Sequence, residues 1–483
     1  MSAPGLVAIG RSSGTLAMRE LLGVGASVAL PWIAGALAVA ALWRGRAEAR
    51  GLIAIGYGYV AGALATTLFV RALSVAGWRW NVATIAGALL ALAAVAAYVA
   101  EPWAIMRGGA ARSAATLANL PRATRTIFLL LLVLLGIDVV ALAACVAWGL
   151  LEPYDALAQW GDKAKVWYEY GSIRPFVDST TWRRLADPAY FWDPNPSYPA
   201  TVPLLEVWTT LAAGRWDESL MNMPWVAAFA ALGCAFYGQV RRLGFGPAKA
   251  IASTYVLLSI PILQINVAVS GMADLFVSVG YGLAAMSLWQ WTRTRDWQDA
   301  ALALVMVIFC ATVKNEGLVW ALTLLPAVAV ALHRRIGLSL CIVAAAAIVL
   351  FLVYGPDEIR IFGISMTMKF AAVGWTILEH MLVMDNWHLF WYAAIAIVLW
   401  NARWLLGARL APMTATIAAD VGFVVLVYFF SGAAFGVASE NLVNRFLLQM
   451  VPALAFYLLA ILREREARSA PTAAAPLAAG PAA

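Results

Sequence analysis

The chain has 483 residues, 63% of them hydrophobic and only 12% charged, with a mean hydropathy of +0.81. Soluble globular proteins carry about 25% charged residues, so this composition excludes a soluble domain and indicates a chain that crosses a membrane many times. The net charge of +7 sits largely in arginine clusters in short loops between apolar runs, so topology accounts for it and no nucleic-acid partner is needed.

A spanning helix needs roughly 20 mostly apolar residues, and runs that are continuously apolar rather than alternating argue for helices over a barrel. In chain order, runs at 20–43, 51–70, 82–101, 127–150, 219–240, 248–268, 274–292, 298–313, 317–333, 336–354, 387–402, 413–436 and 444–462 predict an all-α polytopic membrane protein with about thirteen transmembrane helices. No charged-then-apolar leader with a small-residue cleavage site opens the chain, so no removable signal peptide is expected. Cys145, Cys234, Cys310 and Cys341 each sit inside an apolar run without CxxC spacing, which predicts packing residues rather than a disulfide or metal framework.

The basic clusters fall at Arg44/Arg46/Arg50, Arg107/Arg112/Arg122/Arg125, Arg241/Arg242, Arg293/Arg295, Arg334/Arg335, Arg403/Arg409 and Arg463/Arg465/Arg468. Thirteen spans place all of them on one side, the cytoplasmic one, with the N-terminus outside and the C-terminus inside. The same bookkeeping gathers 151–218, 268–274, 314–317, 355–386 and 437–445 on the outer face. Residues 1–126 then form an N-terminal bundle of three extra spans, and 127–462 a membrane module carrying the long periplasmic loop 151–218. Residues 463–483 form a cytoplasmic tail, Ala/Pro-rich from about Ser469, expected to be disordered and followed by no soluble domain.

The loop 151–218 is the one long polar interruption. Residues 155–170 mix charges with Trp160, Trp167, Tyr168 and Tyr170, which predicts an interfacial helix anchored by aromatics. Residues 198–213 are apolar but short and contain Pro203 and Glu206, so they are expected to lie at or dip into the outer interface; a full span there would invert every later loop.

Four constellations carry potential chemistry. Asp155 and Asp162, seven residues apart, share one face of a helix, where a carboxylate can take a proton from an attacking hydroxyl and Lys163 and Lys165 can hold a phosphate. The plain alternative is a solvated interfacial helix. Asp193-Pro194-Asn195-Pro196-Ser197-Tyr198-Pro199 predicts an extended turn, because each proline fixes its own φ and disfavours helix before it. Lys314-Asn315-Glu316-Gly317 puts charge close to membrane depth, at about 2.5–3.5 kcal/mol per charged residue, which favours a cavity and pairing over a snorkelling turn. Asp274 and Arg445 stand at outer helix ends, where a guanidinium suits a lipid phosphate; the alternative is a cap or headgroup anchor. Three of the five lysines, against 28 arginines, fall in these motifs.

Together the motifs resemble the GT-C superfamily of integral-membrane glycosyltransferases, in particular its bacterial protein O-mannosyltransferase and aminoarabinose transferase group. The resemblance rests on Tyr154-Asp155-Ala156-Leu157-Ala158-Gln159-Trp160-Gly161-Asp162-Lys163-Ala164-Lys165, similar to that group's Trp-Asp-Ala...Trp...Lys-Ala-Lys pattern, and on Asn195-Pro196-Ser197-Tyr198-Pro199, similar to His-Pro-Asp-Tyr-Pro. Ala273-Asp274, Lys314-Asn315-Glu316-Gly317 and Asn444-Arg445 continue it over roughly 127–462. Asn195 and Ser197 depart from the pattern, and the first three spans and a missing C-terminal module lie outside it.

The resemblance implies a GT-C-like fold in the cytoplasmic (inner) membrane of a bacterium, with its site on the periplasmic face and a role in the cell envelope. Asp155 would be the general base, with Asp162 and Glu316 as further catalytic carboxylates. Lys163, Lys165, Lys314 and Arg445 would bind the phosphate of a polyprenyl-phosphate sugar donor, and Trp160, Tyr198, Asp274, Asn315 and Glu440 would line the cavity. The acceptor hydroxyl would belong to a lipid, a glycan or a protein. No Gly-rich phosphate loop and no clear DxD motif are present, so neither a nucleotide donor nor a cofactor is required, and a divalent cation is optional. The competing expectations are a transporter or flippase of a lipid-linked precursor, which would show two similar halves with broken helices at mid-membrane, and a non-catalytic envelope-assembly subunit.

Overall fold

The computed structural model describes residues 18–43, 50–100, 117–361, 364–438 and 440–469, most of them helical. The arginine clusters at 44–46 and 107–112, the side chains of Arg50 and Glu440, and the tail beyond Ser469 lie outside the described residues.

Among the described residues, eight helices are long and apolar enough to cross a membrane, and ten crossings result if two bent helix pairs each count as one. The eight are Met18–Leu42, Gly51–Val75, Val82–Ala100, Arg122–Trp148, Leu220–Arg242, Asn315–Leu332, Arg334–Tyr354 and Ala411–Phe430. Pro247–Leu258 and Pro261–Ala268 meet at 62°, and Leu442–Leu448 and Val451–Ser469 at 48°. Pro261 and Pro452 stand at these bends, where a missing amide hydrogen interrupts the helical ladder. The expected thirteen includes three helices that fall short. Trp297–Val313 and Phe390–Trp400 are only 17 and 11 residues long, about 26 and 17 Å at the helical rise, against a hydrocarbon core of roughly 30 Å. Asp274–Thr294 is long enough but starts on an acid and ends in a polar turn of Gln290, Thr292, Arg293 and Thr294.

Membrane-facing surface is plain on the outermost helices. Arg334–Tyr354 buries only Gly337 and turns Ile342, Val343 and Val353 outward, a distribution compatible with lipid and not with water. The interior is centred on Asp274–Thr294, whose residues from Asp274 to Gln290 are all buried. The three N-terminal helices do not stand apart at residue 126. Tyr57 donates to the Leu283 carbonyl at 3.0 Å and receives bonds from Gln239 and Ser287 at 2.8 and 2.9 Å, so Arg50–Val75 belongs to the same core.

Polar groups collect at two ends of this body. At one end Arg242 forks onto Asp299 at 2.7 and 2.8 Å, Lys249 meets Glu466 at 2.8 Å and Arg409 meets Glu464 at 3.2 Å. Of the loops expected on a single face by arginine counting, those at 241–249, 403–409 and 463–468 and the turn leading to Asp299 are therefore tied together in space. The other end holds loop 151–218, the 274 and 314–317 junctions and Arg445. The loop between the second and third helices joins it, because Trp80 N–H donates to the Gly171 carbonyl at 3.0 Å.

Two expectations about the polar loop are corrected. Helix Thr201–Ala213 is enclosed by protein along nearly its whole length, with Thr201 through Thr210 all buried, so it does not lie on the interface. Trp160 and Trp167 likewise point into the protein rather than anchoring a surface helix. Short strand pairs complete this end: Phe176–Val177 runs parallel to Phe191–Trp192, and Glu358–Ile361 antiparallel to Ile364–Thr367.

Candidate active site

The site is built around Asp274. Gly271, at φ +96°, turns the chain just before it, and an added Cβ there would meet the Ala156 Cβ at 2.5 Å. That close approach sets Asp274 against the start of the polar loop. Asp274 opens its helix, where the macrodipole favours a carboxylate. Its Oδ1 accepts from Gln449 at 2.6 Å and from Lys314 Nζ at 3.1 Å, and its Oδ2 from Arg445 Nε at 3.0 Å.

Arg445 bridges two carboxylates. Its Nη2 lies 2.5 Å from Asp155 Oδ2 and 2.8 Å from Asp274 Oδ2. Asp155, 290 residues away in sequence, keeps 27% of its side chain exposed whereas Arg445 keeps 7%, so Asp155 is the solvent-side member of the triad. Helix Glu440–Leu448 is held in place by the bond from Ser278 Oγ to the Leu448 carbonyl at 2.8 Å and by Asn444, which accepts from Trp387 at 2.8 Å.

Lys314 enters from a one-residue break, an extended residue at φ −151° and ψ 150° between Trp297–Val313 and Asn315–Leu322. Gly317 permits the return, since an added Cβ would sit 2.1 Å from the Cys310 carbonyl oxygen. Besides Asp274, Lys314 Nζ faces Glu316 at 3.6 Å. Burial opposes its charge, but Asp274 and then Glu316 outweigh this and hold its pKa above the lysine value. Glu316 in turn accepts from the Tyr198 hydroxyl at 3.3 Å, and Asn315 Nδ2 reaches Ser197 Oγ at 3.4 Å. Burial, reinforced by Glu316, pushes the Tyr198 phenol up. Trp160 packs on Tyr198 with ring centroids 5.2 Å apart. The proline-rich turn 193–199 thus links loop 151–218 to the Lys314 junction.

Eight of the expected site residues therefore converge: Asp155, Trp160, Tyr198, Asp274, Lys314, Asn315, Glu316 and Arg445. Three others do not. Residues 156–161 form a π-helical turn, whose i→i+5 bonding widens each turn so that seven residues no longer return to the same face. Asp162 consequently does not share a face with Asp155: its side chain reaches the surface, and the burial it retains raises its pKa while the nearby Lys165 opposes that rise. Lys163 is spent on a buried pair with Asp193 at 3.2 Å and on the Asn195 carbonyl at 3.2 Å. Burial lowers the Lys163 pKa and raises that of Asp193, each partly restored by the other. Lys165 is half exposed and meets Glu218 at 3.8 Å.

The sequence reading missed Gln449 and Asp193. Gln449 was detectable as a polar residue four positions after Arg445 in an otherwise apolar run, although it falls in the break after helix Glu440–Leu448. Asp193 lay within a noted motif, but its pairing with Lys163 depends on the tertiary path of the loop. Among the described residues no three His, Cys, Asp or Glu side chains gather as a metal-ligand group. The carboxylates of the site are instead interleaved with Arg445 and Lys314.

Comparison of the chain with protein families, with curated proteins and with solved structures finds no match.

Proposed function

We propose that this chain is a membrane glycosyltransferase of the GT-C type. It moves a sugar from a polyprenyl-phosphate donor to a hydroxyl acceptor at the outer face of a bacterial cytoplasmic membrane. The observation that carries the reading is the Asp155–Arg445–Asp274–Lys314 cluster: two cations and two carboxylates, drawn from four distant segments, at the end of the molecule opposite the arginine-rich loops.

The chemistry follows from the charges. The acceptor oxygen attacks the anomeric carbon, the bond from that carbon to the phosphate oxygen breaks, and polyprenyl phosphate leaves with the electron pair. The acceptor proton passes to Asp155, a base worth typically 10²–10⁴ in rate. A single displacement inverts the anomeric centre. Lys314 and Arg445 stabilise the phosphate as its charge grows, in a site where water is largely excluded. Arg445 is held by both Asp155 and Asp274, so an arriving phosphate competes with Asp155 for the guanidinium and frees that carboxylate to accept a proton. Asp274, buried beneath, keeps Arg445 and Lys314 in place.

The test is transfer by membranes containing the chain, using polyprenyl-phosphate donors carrying a hexose, a pentose or an aminopentose. Wild type should transfer one of them, and Asp155→Asn, isosteric and correctly inserted, should lose about 10²–10⁴ of that rate. Undiminished transfer in the variant would sink the assignment. Movement of the intact lipid-linked sugar between leaflets, indifferent to Asp155, would establish the transporter instead.

A further inference from the structure

A cleft lies at the same end of the molecule as the Asp155 cluster, between the turn joining the second and third helices and the end of helix Asp162–Tyr170. It has a volume of about 800 Å³ and is lined by Ser74, Trp78, Arg79, Glu169, Tyr170 and Arg174 among others. That size falls within the range of ligand sites, roughly 300–1,000 Å³. Helix Asp162–Tyr170 separates it from the start of that helix by about 13 Å at 1.5 Å per residue, so it is distinct from the Asp155 cluster.

The walls are tied together before any ligand arrives. Trp80 N–H donates to the Gly171 carbonyl at 3.0 Å, Ile173 N–H to Ser74 Oγ at 2.9 Å, and Trp167 Nε1 to the Arg174 carbonyl at 2.9 Å. Gly77 and Gly171, at φ +74° and +62°, make the two turns that face each other. Within this frame the Arg174 guanidinium stacks on the Tyr170 ring at 4.5 Å, which fixes its plane, and its buried Nε has no hydrogen-bond partner. Arg79 is exposed and forms no ion pair among the described residues. Trp78 stands 63% exposed and Tyr170 41% exposed.

Two guanidiniums with open donors suit the oxygens of a phosphate or carboxylate. The exposed Trp78 ring offers an apolar face of the size of a sugar ring, and the Glu169 carboxylate accepts bonds from hydroxyls. We propose that this cleft binds an anionic saccharide, a sugar unit bearing a phosphate or a carboxylate. The binding does not depend on the transfer chemistry at Asp155.

The test uses the full chain in neutral phosphatidylcholine nanodiscs, titrated with a soluble uronic-acid oligosaccharide and with a hexose phosphate, and read by calorimetry. At least one probe should bind to wild type and to Asp155→Asn alike, which separates this site from the transferase reading. Trp78→Ala and the double variant Arg79→Ala/Arg174→Met should each weaken binding at least tenfold while unfolding at the wild-type temperature. The proposal is overturned if neither probe binds, if a neutral oligosaccharide of the same length binds equally, or if both variants bind as wild type. It is also overturned if inorganic phosphate matches the hexose phosphate, or if only nanodiscs with anionic lipid show an effect of the variants, which would make the cleft a headgroup contact.

Discussion

Replacing Arg445 by glutamine removes the cation that Asp155 and Asp274 share. The carboxylate oxygens lie 2.5 and 2.8 Å from the same nitrogen, so their separation cannot exceed the sum of those distances, about 5.3 Å. At an effective dielectric of about 20, two unit charges that close repel by about 3 kcal/mol. Lys314 remains on Asp274 and Asp155 is partly exposed, so the net repulsion is smaller, on the order of 1–3 kcal/mol. The repulsion exists only while both groups are ionised, and uptake of one proton by the pair relieves it. The destabilisation of Arg445→Gln is therefore largest at neutral and alkaline pH and shrinks as pH falls. Unfolding of the purified variant and wild type in the same detergent, followed from pH 4.5 to pH 8, checks this. Arg445→Lys, which retains the charge but not the fork, should show a deficit that does not grow with pH. A deficit of Arg445→Gln that stays constant across the range would refute the shared-cation account of the site.

Two further outcomes follow from packing and burial. Gly317→Ala should force the helix Asn315–Leu322 away from the Cys310 carbonyl, since the new methyl would lie 2.1 Å from that oxygen. Because Lys314 and Glu316 move with it, transfer should fall more than thermal stability does; a variant with wild-type activity would show that the break at Lys314 tolerates displacement. Glu206 is fully buried with neither carboxylate oxygen hydrogen-bonded, and burial raises its pKa well above the usual carboxylate value. The unfolded chain releases this proton above about pH 4.3 while the folded chain keeps it. Folding stability from this group thus declines as pH rises from there toward the folded value. Glu206→Gln, neutral at every pH, should gain stability relative to wild type between pH 5 and pH 8, and equal pH slopes for the two proteins would contradict it.

Composition and the length of apolar runs were sufficient to read the membrane class, the helical architecture and the grouping of loops at two ends, because each depends on local hydropathy and on the sign of nearby charge. The residues of the candidate site were legible for a related reason. Charges such as Asp274 and Lys314, costly in an apolar chain, stand out wherever they persist near a helix end. What each charge would touch was not legible. Lys163 and Lys165 look alike in sequence, yet one is buried on Asp193 and the other reaches Glu218 at the surface. Asp155 and Asp162 look paired, yet a single π-helical turn, invisible to a 3.6-residue period, rotates them apart. The enclosure of helix Thr201–Ala213 likewise depends on neighbours from the N-terminal helices, whose relevance no local pattern announces. Hydropathy is a property of each segment alone, whereas the sharing of Arg445 between Asp155 and Asp274 requires residues 290 and 171 positions apart to meet, and only the tertiary structure decides that.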